Sequence, residues 1–358
     1  MYFGPAFAPL SVLGLLFRGS PVASTIPQLA ITVIVPVRNG EKTIEKCIKS
    51  IEEQRHPIFR LIVIDDASTD MTPILLGKLS AKYRNIKILR NPERLGKAAS
   101  INKAVEEVQT PLTAIVDADT TLDKDYLFEV SKTFYKDNVV GACGAVLPSK
   151  TENTIEKSRL IEYLHGQSTY KPLQEKFGTL FVLAGCCSIW KTEWLKENKI
   201  PTETVVEDMD LTWEAQIKGK QVAFAPKGIA YTDEPETLNN YSKQLERWFS
   251  WRPVVEKHAK NLTLGLKTLI MWMLAESVGY LVWLGLTTYF ILTGQILATA
   301  LMLLFDGLVM ILVSLKEGRR LKISPRKIFS SIPRYYLLRL PTSILFWKSF
   351  IKPKRIGW

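Results

Sequence analysis

The chain has 358 residues, 47% of them apolar, and a net charge of +12. That length accommodates one soluble domain of ~230 residues and a further segment beyond it. The charge does not point to nucleic acid, because the basic residues crowd beside an uncharged apolar stretch (Lys316, Arg319, Arg320, Lys322, Arg326, Lys327) rather than forming a reading face. Four cysteines without CxxC spacing and only three histidines exclude a zinc site and a disulfide framework, which places the main domain in a reducing compartment.

Residues 1–25 are apolar but hold Pro5, Pro9 and Pro21 and lack a basic start, so they are expected to form a membrane-associated segment, interfacial or re-entrant, with a short spanning helix as the alternative. From Ala30 a strand–helix alternation begins. The run Ile31–Val35 reads as a buried strand. Ile44, Cys47, Ile48 and Ile51 recur at helical spacing, with Asn39 as the expected cap. Strands follow at Leu61–Ile64, Ile86–Leu89, Leu112–Val116 and Val139–Val146. Helices are expected at Thr72–Tyr83, Lys97–Val108 and Lys124–Tyr135. Repeated βα units predict an α/β domain with a mostly parallel central sheet, whose ligands bind at the carboxyl ends of its strands.

Farther on, the pattern predicts a helix at Ile155–Tyr170, a strand at Phe181–Ile189, a helix at Asp210–Lys218 and an amphipathic, aromatic-rich helix at Thr237–Trp251. Two spans follow, Thr268–Leu292 and Gln295–Leu315, each close to the ~20 residues that cross a bilayer. The hairpin's basic flanks place its two ends, and the main domain, on the cytoplasmic side. Tyr335–Phe350 is apolar but interrupted by Arg339, Pro341 and Lys348 and is expected to be interfacial.

Several short motifs could carry chemistry. Asp117 and Asp119 stand two apart beyond a buried strand, where their oxygens can converge on Mg²⁺ or Mn²⁺, or simply solvate a turn. Asp65 and Asp66 either accept hydrogen bonds from a nucleoside or belong to a turn in which Ser68 or Asp70 caps the next helix. Gly96 and Lys97 begin a helix and can face phosphate. Glu207, Asp208 and Asp210 favour a helix N-terminus, and one of them can act as a general base. Gln244, Arg247 and Trp248 share a helix face at i, i+3 and i+4. The GxGxxG and GxxxxGK[ST] motifs are absent.

In this order, Asp-Asp, Asp-x-Asp, Glu-Asp and Gln-x-x-Arg-Trp resemble glycosyltransferase family 2. The likeness runs from about Ala30 to Arg252. It is greatest to the membrane-integrated branch that holds poly-N-acetylglucosamine, hyaluronan, chitin and cellulose synthases. The resemblance implies a GT-A fold in a cytoplasmic catalytic domain over 26–235. An interfacial helix with the Gln-x-x-Arg-Trp motif would occupy 236–265, a transmembrane hairpin 266–316 and a basic membrane-associated segment 317–358. It further implies Asp208 as catalytic base, with Asp65, Asp66, Lys97, Asp117, Gln244, Arg247 and Trp248 at the donor nucleotide. Asp117 and Asp119 would hold the metal, and Gly185, Cys186, Cys187, Glu207 and Trp248 would meet the acceptor. Read from their chemistry alone, Cys186 and Cys187 remain an inert thiol pair.

The implied reaction is inverting transfer from a UDP-sugar to a carbohydrate or lipid-linked hydroxyl in a multi-pass protein of the cell membrane. Two spans are few for a polymer channel, so a homo-oligomer, or a single addition of the ceramide-glucosyltransferase type, stays open. So does a nucleotide-sugar-binding scaffold. Glu276 and Asp306 fall inside the expected spans. They are predicted to border an acceptor path or to pair with Arg334 or Arg339, the alternative being protonated or snorkelling acids.

Overall fold

The computed structural model describes residues 29–354; the N-terminal segment 1–25 lies outside them. The elements in order are β1 (Ile31–Val37), α1 (Ile44–Glu52), β2 (Arg60–Asp65), α2 (Thr72–Lys82), β3 (Ile86–Arg90), α3 (Lys97–Val105), β4 (Leu112–Val116), β5 (Thr120–Leu122), α4 (Tyr126–Ser131) and β6 (Val139–Pro148). Then come α5 (Thr154–His165), α6 (Lys171–Lys176), β7 (Cys187–Lys191), α7 (Thr192–Glu197), α8 (Glu207–Ile217), β8 (Gln221–Thr232), α9 (Leu238–Trp248) and α10 (Arg252–His258). Three long helices close the chain: α11 (Leu264–Leu292), α12 (Ile296–Arg320) and α13 (Pro325–Ile351).

Eight strands form one sheet in the order β3-β2-β1-β4-β7-β6-β8-β5. β7 runs antiparallel to β4 and β6, and β5 antiparallel to β8; the other pairings are parallel. Every residue of β1 is buried, as a strand covered on both faces requires. One face packs Ile44, Cys47, Ile48 and Ile51 of α1 and Leu160, Ile161 and Leu164 of α5. The other packs Ala98 and Ile101 of α3, Trp194 of α7 and Leu211 and Ala215 of α8. This is the α/β layering expected from the alternation, with the acids of β2 and β4 at one sheet edge.

Two local expectations need correction, and two elements go beyond the sequence reading. Asn39 does not cap α1: Thr43 precedes that helix, while Asn39 adopts φ +52° and its Oδ1 accepts from Thr69 N at 2.9 Å. The strand expected over Phe181–Ile189 shrinks to β7, because the preceding amides are claimed by side chains. Leu180 N donates to Gln216 Oε1 (2.9 Å), Phe181 N to Gln174 Oε1 (3.0 Å) and Leu183 N to Thr212 Oγ1 (3.1 Å). β8 has no counterpart in the sequence reading. Its Pro226–Gly228 segment looks like a turn but is a bulge, since Ala225 pairs with Gly144 and Ile229 with the next residue, Ala145. Finally, the segment around Tyr335–Phe350 belongs to one continuous helix, α13, which tolerates Pro333 and Pro341 while burying Tyr335, Leu338 and Phe346.

α11 and α12 are long and apolar enough to cross a membrane, with mean hydropathies of 1.6 and 2.5. Only 28% and 22% of their apolar windows are covered by protein, unlike the core helices of a soluble domain. The turn between them needs a residue with positive φ after α11, and Gly294 supplies it at +69°. Within this hairpin Asp306 pairs with Arg339 of α13 at 2.7 Å, one of the two partners the sequence suggested. Glu276 lines a cavity.

Candidate active site

That cavity, about 290 Å³, lies between the sheet edge, α5, α8, α9 and α11. Asp117, Asp119, Lys97, Gly185, Glu207, Asp208, Gln244, Arg247 and Trp248 all line it. Residues from four separate motifs, spread over more than a hundred positions, therefore open onto one space.

Strand β4 ends at Val116, and the following turn aims Asp117 at α3. Its Oδ1 is 2.6 Å from Lys97 Nζ, which also lies 3.7 Å from Glu207 Oε1 and donates to Gly185 O at 3.3 Å. Burial alone would lower the Lys97 ammonium, but Asp117 and Glu207 hold it above the ordinary lysine value, so it stays charged. Crowding by protein atoms pushes the Asp119 carboxyl up, and the Asp117 charge adds to this. Burial likewise raises Glu207 against the pull of Lys97 and Arg247. Among the described residues no group of three ligating side chains is assembled, so Asp117 and Asp119 offer a two-carboxylate, hard-oxygen set that other ligands must complete.

Asp208 sits in the first turn of α8. Its Oδ2 accepts from Gly185 N at 3.1 Å and its Oδ1 from Met209 N at 2.8 Å, fixing the carboxylate against the 183–187 loop. Gly185 is required there by space, because a Cβ would stand 2.8 Å from Asp208 Oδ2. Cys186 lines the cavity, whereas the Cys187 side chain is fully buried and turned away from it.

Asp65 and Asp66 are placed differently from the expectation. They are 1% and 5% exposed and are not among the residues that line the cavity. Asp65 Oδ1 accepts from Ser68 N at 3.0 Å. Asp66 accepts from Asn91 Nδ2, Leu95 N and Gly96 N at 2.8–2.9 Å, shaping the loop that delivers Lys97. The capping alternative fits in part, since Asp70 Oδ1 accepts from Thr72 N at 3.0 Å.

Sequence reasoning missed Arg159, Glu162, Tyr163, Gln167 and Tyr170, which also line the cavity. Arg159 is 1% exposed. It donates to Glu162 Oε2 (2.6 Å) and Gln244 Oε1 (2.9 Å), and its Nε is 3.2 Å from Glu234 Oε2. A signal existed: Arg159 and Glu162 fall at i+4 and i+7 from Ile155, on the apolar stripe of their helix, where charges are out of place.

An α/β sheet with this strand order, and acids from two loops facing one cleft, defines a transferase domain of the GT-A type. Residues 32–198 match the family model described as glycosyl transferase family 2. The chain is 23% identical over 274 residues to a poly-beta-1,6-N-acetyl-D-glucosamine synthase of Staphylococcus epidermidis, covering 75% of this chain and 66% of that one. A synthase of the same name from Staphylococcus aureus is 24% identical over 220 residues, 61% of this chain and 53% of its own. The chain thus spans about half to two thirds of these relatives. In fold it is similar to the mannosyltransferase PcManGT of Pyrobaculum calidifontis, whose structure is in complex with GDP-Man and Mn²⁺. That likeness has a TM-score of 0.66 at 18% identity and covers 97% of this chain and 94% of that one.

Proposed function

We propose that this chain is a membrane-bound inverting transferase that moves a sugar from a UDP-sugar to a hydroxyl of a carbohydrate acceptor, in the manner of a polysaccharide synthase. The observation that carries this reading is the shared cavity, lined by Asp117, Asp119 and Asp208, the last held by Gly185 N. Asp208 would remove the acceptor proton as the hydroxyl attacks the anomeric carbon. Lys97 and Arg247 would stabilise the charge that develops on the departing diphosphate. Asp117 and Asp119 fit a divalent cation, Mg²⁺ or Mn²⁺, which would supply Lewis-acid stabilisation to that leaving group. In this reading Asp66 acts through the 91–96 loop rather than by touching the nucleoside, and Gln244 and Trp248 shape the wall against which donor and acceptor meet.

α11 and α12 would cross the membrane as a hairpin, with the catalytic domain on the basic, cytoplasmic side. The test is a donor screen on the full chain in detergent or native membranes, with mass analysis of the product. UDP-N-acetylglucosamine, suggested by the synthases' names, is expected to be consumed, with activity lost on EDTA and restored by Mg²⁺ or Mn²⁺. A ladder of sugars supports synthase-like extension, and a single organic-soluble glycolipid supports one addition to lipid. Failure to consume any nucleotide sugar with either ion present overturns the transferase reading.

A further inference from the structure

The Gln-Leu-Glu-Arg-Trp run of α9 faces three ways. Gln244, Arg247 and Trp248 line the cavity, Leu245 is buried in the core, and Glu246 is not among the lining residues. Glu246 instead meets the C-terminal end of α13: its Oε1 is 2.8 Å from Lys348 Nζ and its Oε2 3.0 Å from Lys354 Nζ. The backbone there is held as well. Ser250 Oγ donates to Glu246 O at 2.6 Å and accepts from Lys354 N at 2.9 Å. Arg252 Nη1 donates to Ile351 O at 3.0 Å and to Phe350 O at 3.4 Å. A helix leaves its last carbonyls without intrahelical donors, so the Arg252 guanidinium caps α13. Rings continue the contact inward. Phe350 packs on Trp251 at 5.0 Å between centres, and Trp251 meets Phe181 edge to face at 5.6 Å; Trp251 and Phe181 both line the cavity.

We infer that Glu246 is a positioning residue: through Lys348 and Lys354 it fastens the last turn of α9 to the C-terminal end of α13 and thereby fixes where Arg247 stands in the cavity. The inference rests on the transferase reading above and adds to it the segment 348–354, as the support of the cation that answers the leaving group. Glu246 and Arg247 are neighbours in one helical turn, so a shift of that turn carries the guanidinium with it. The packed rings supply cohesion without direction, whereas one carboxylate between two ammonium groups sets the register of α9 on α13. Lys348 first, and then Lys354, hold the Glu246 carboxyl below the ordinary glutamate value, so it is charged at neutral pH. Lys348 and Lys354 are 63% and 47% exposed at the side chain, and such pairs add little to stability. The effect therefore falls on rate rather than folding, since a misplacement of ~1 Å at a reacting centre costs on the order of 10²-fold.

The test uses the full chain in detergent and follows two readouts: transfer from radiolabelled UDP-N-acetylglucosamine, and hydrogen–deuterium exchange of the α9 amides without donor. Glu246→Lys sets three ammonium groups against one another. It is expected to lower kcat about tenfold while the donor KM moves less than about twofold, the pattern of a contact made in the transition state. Exchange in α9 should quicken about fivefold or more. Combining Glu246→Lys with Lys348→Glu and Lys354→Glu reverses the bridge and should bring both readouts back to within about twofold of the parent. The exchange measurement bears on the inference even where no transfer is observed, which separates its failure from that of the transferase reading. Unchanged exchange and kcat in Glu246→Lys overturn the inference. So does a loss that the reversed bridge fails to recover, and so does a lower unfolding midpoint with kcat unchanged, which would make the contact structural only. If Glu246→Lys does not fold, Lys348→Met with Lys354→Met removes the bridge without repulsion. That variant should lower kcat about threefold with faster α9 exchange, and parent values in it overturn the inference.

Discussion

The Arg159 guanidinium lies 4.6 Å from the Trp248 ring centre while donating to Gln244 Oε1, so one buried side chain of α5 holds two members of the Gln-x-x-Arg-Trp motif on α9. Its charge is answered by Glu162 and Glu234, and burial alone would otherwise lower its affinity for its proton. Arg159→Met would leave both carboxylates buried without a cation, a loss of about 3–5 kcal/mol in systems of this kind. Arg159→Lys would keep the charge but not the planar fork that reaches Gln244 and Glu162 together. The expected outcome is a lower unfolding midpoint in detergent for Arg159→Met, and for Arg159→Lys a smaller stability loss with a fall in kcat/KM of about tenfold or more.

The Asp208 variants separate position from chemistry. Asp208→Asn should retain donor binding and lose about 10²–10⁴-fold in kcat, the range for removal of a general base. Gly185→Ala should produce a similar kcat defect by a different route, because the new methyl would stand against Asp208 Oδ2 and displace the carboxylate. Single-turnover transfer alongside nucleotide binding checks both; full activity in Gly185→Ala would contradict the role given to this contact.

The layered fold and most of the cavity were legible because they depend on local pattern: buried β-branched runs, helical spacing, and acids at strand ends. That Gln244, Arg247 and Trp248 share one face followed from i, i+3, i+4 geometry, whereas their place beside the cavity was implied only by the family resemblance. The roles of Asp65, Asp66 and Cys187 were not legible, because adjacent residues in a strand or loop face opposite ways and only tertiary packing decides which side opens to the cavity. Arg159 was hidden for a related reason: a charge on an apolar stripe has meaning only once Glu234 and Gln244, some 75 and 85 positions away, are known to surround it. β8 was missed because Pro226–Gly228 breaks the alternation without breaking the strand.

Asp66 should make the site loop acid-sensitive. Burial raises its carboxyl, but hydrogen bonds from Leu95 N, Asn91, Gly96 N and Ser100 outweigh this and hold it below the ordinary aspartate value. The unfolded chain, with a value near ~3.9, then binds the proton more readily than the folded one. Its stabilising contribution is complete above the unfolded value and is lost as pH falls through the folded one. Unfolding of Asp66→Asn should therefore depend less on pH below about 4, while at neutral pH the variant is weaker by about 1–3 kcal/mol because an amide N–H would confront the Gly96 N–H. Parallel acid titrations of the two proteins decide the matter, and identical slopes would contradict it.

A second clamp acts on α8 from α10. Asp210, two residues beyond Asp208 and 1% exposed, lies 2.6 Å from His258 Nε2 and 2.8 Å from Lys257 Nζ, both on α10, the helix that leads to α11. Asp210→Asn should lower both the unfolding midpoint and kcat, since it weakens the tie that sets the N-terminus of the helix carrying Asp208. Lys257 is 41% exposed, so Lys257→Met should cost less than about 1 kcal/mol. Equal losses in the two variants would show that the buried His258–Asp210 contact is not the stronger half of the clamp.

Where α13 packs on the hairpin, Arg339 and Asp306 are each 2% exposed at the side chain and 2.7 Å apart, and Tyr280, Trp283, Tyr335 and Tyr336 surround the guanidinium at 4.6–5.8 Å. Removing one partner strands a charge in a dry place. Arg339→Met or Asp306→Leu alone should therefore destabilise the detergent-solubilised protein by about 3–5 kcal/mol. The double variant replaces both charges with apolar groups of similar size and should recover most of that loss, giving a coupling energy well above the error of an additive cycle. A double variant as unstable as either single one would mean that the surrounding rings, rather than the ion pair, set the packing of α12 against α13.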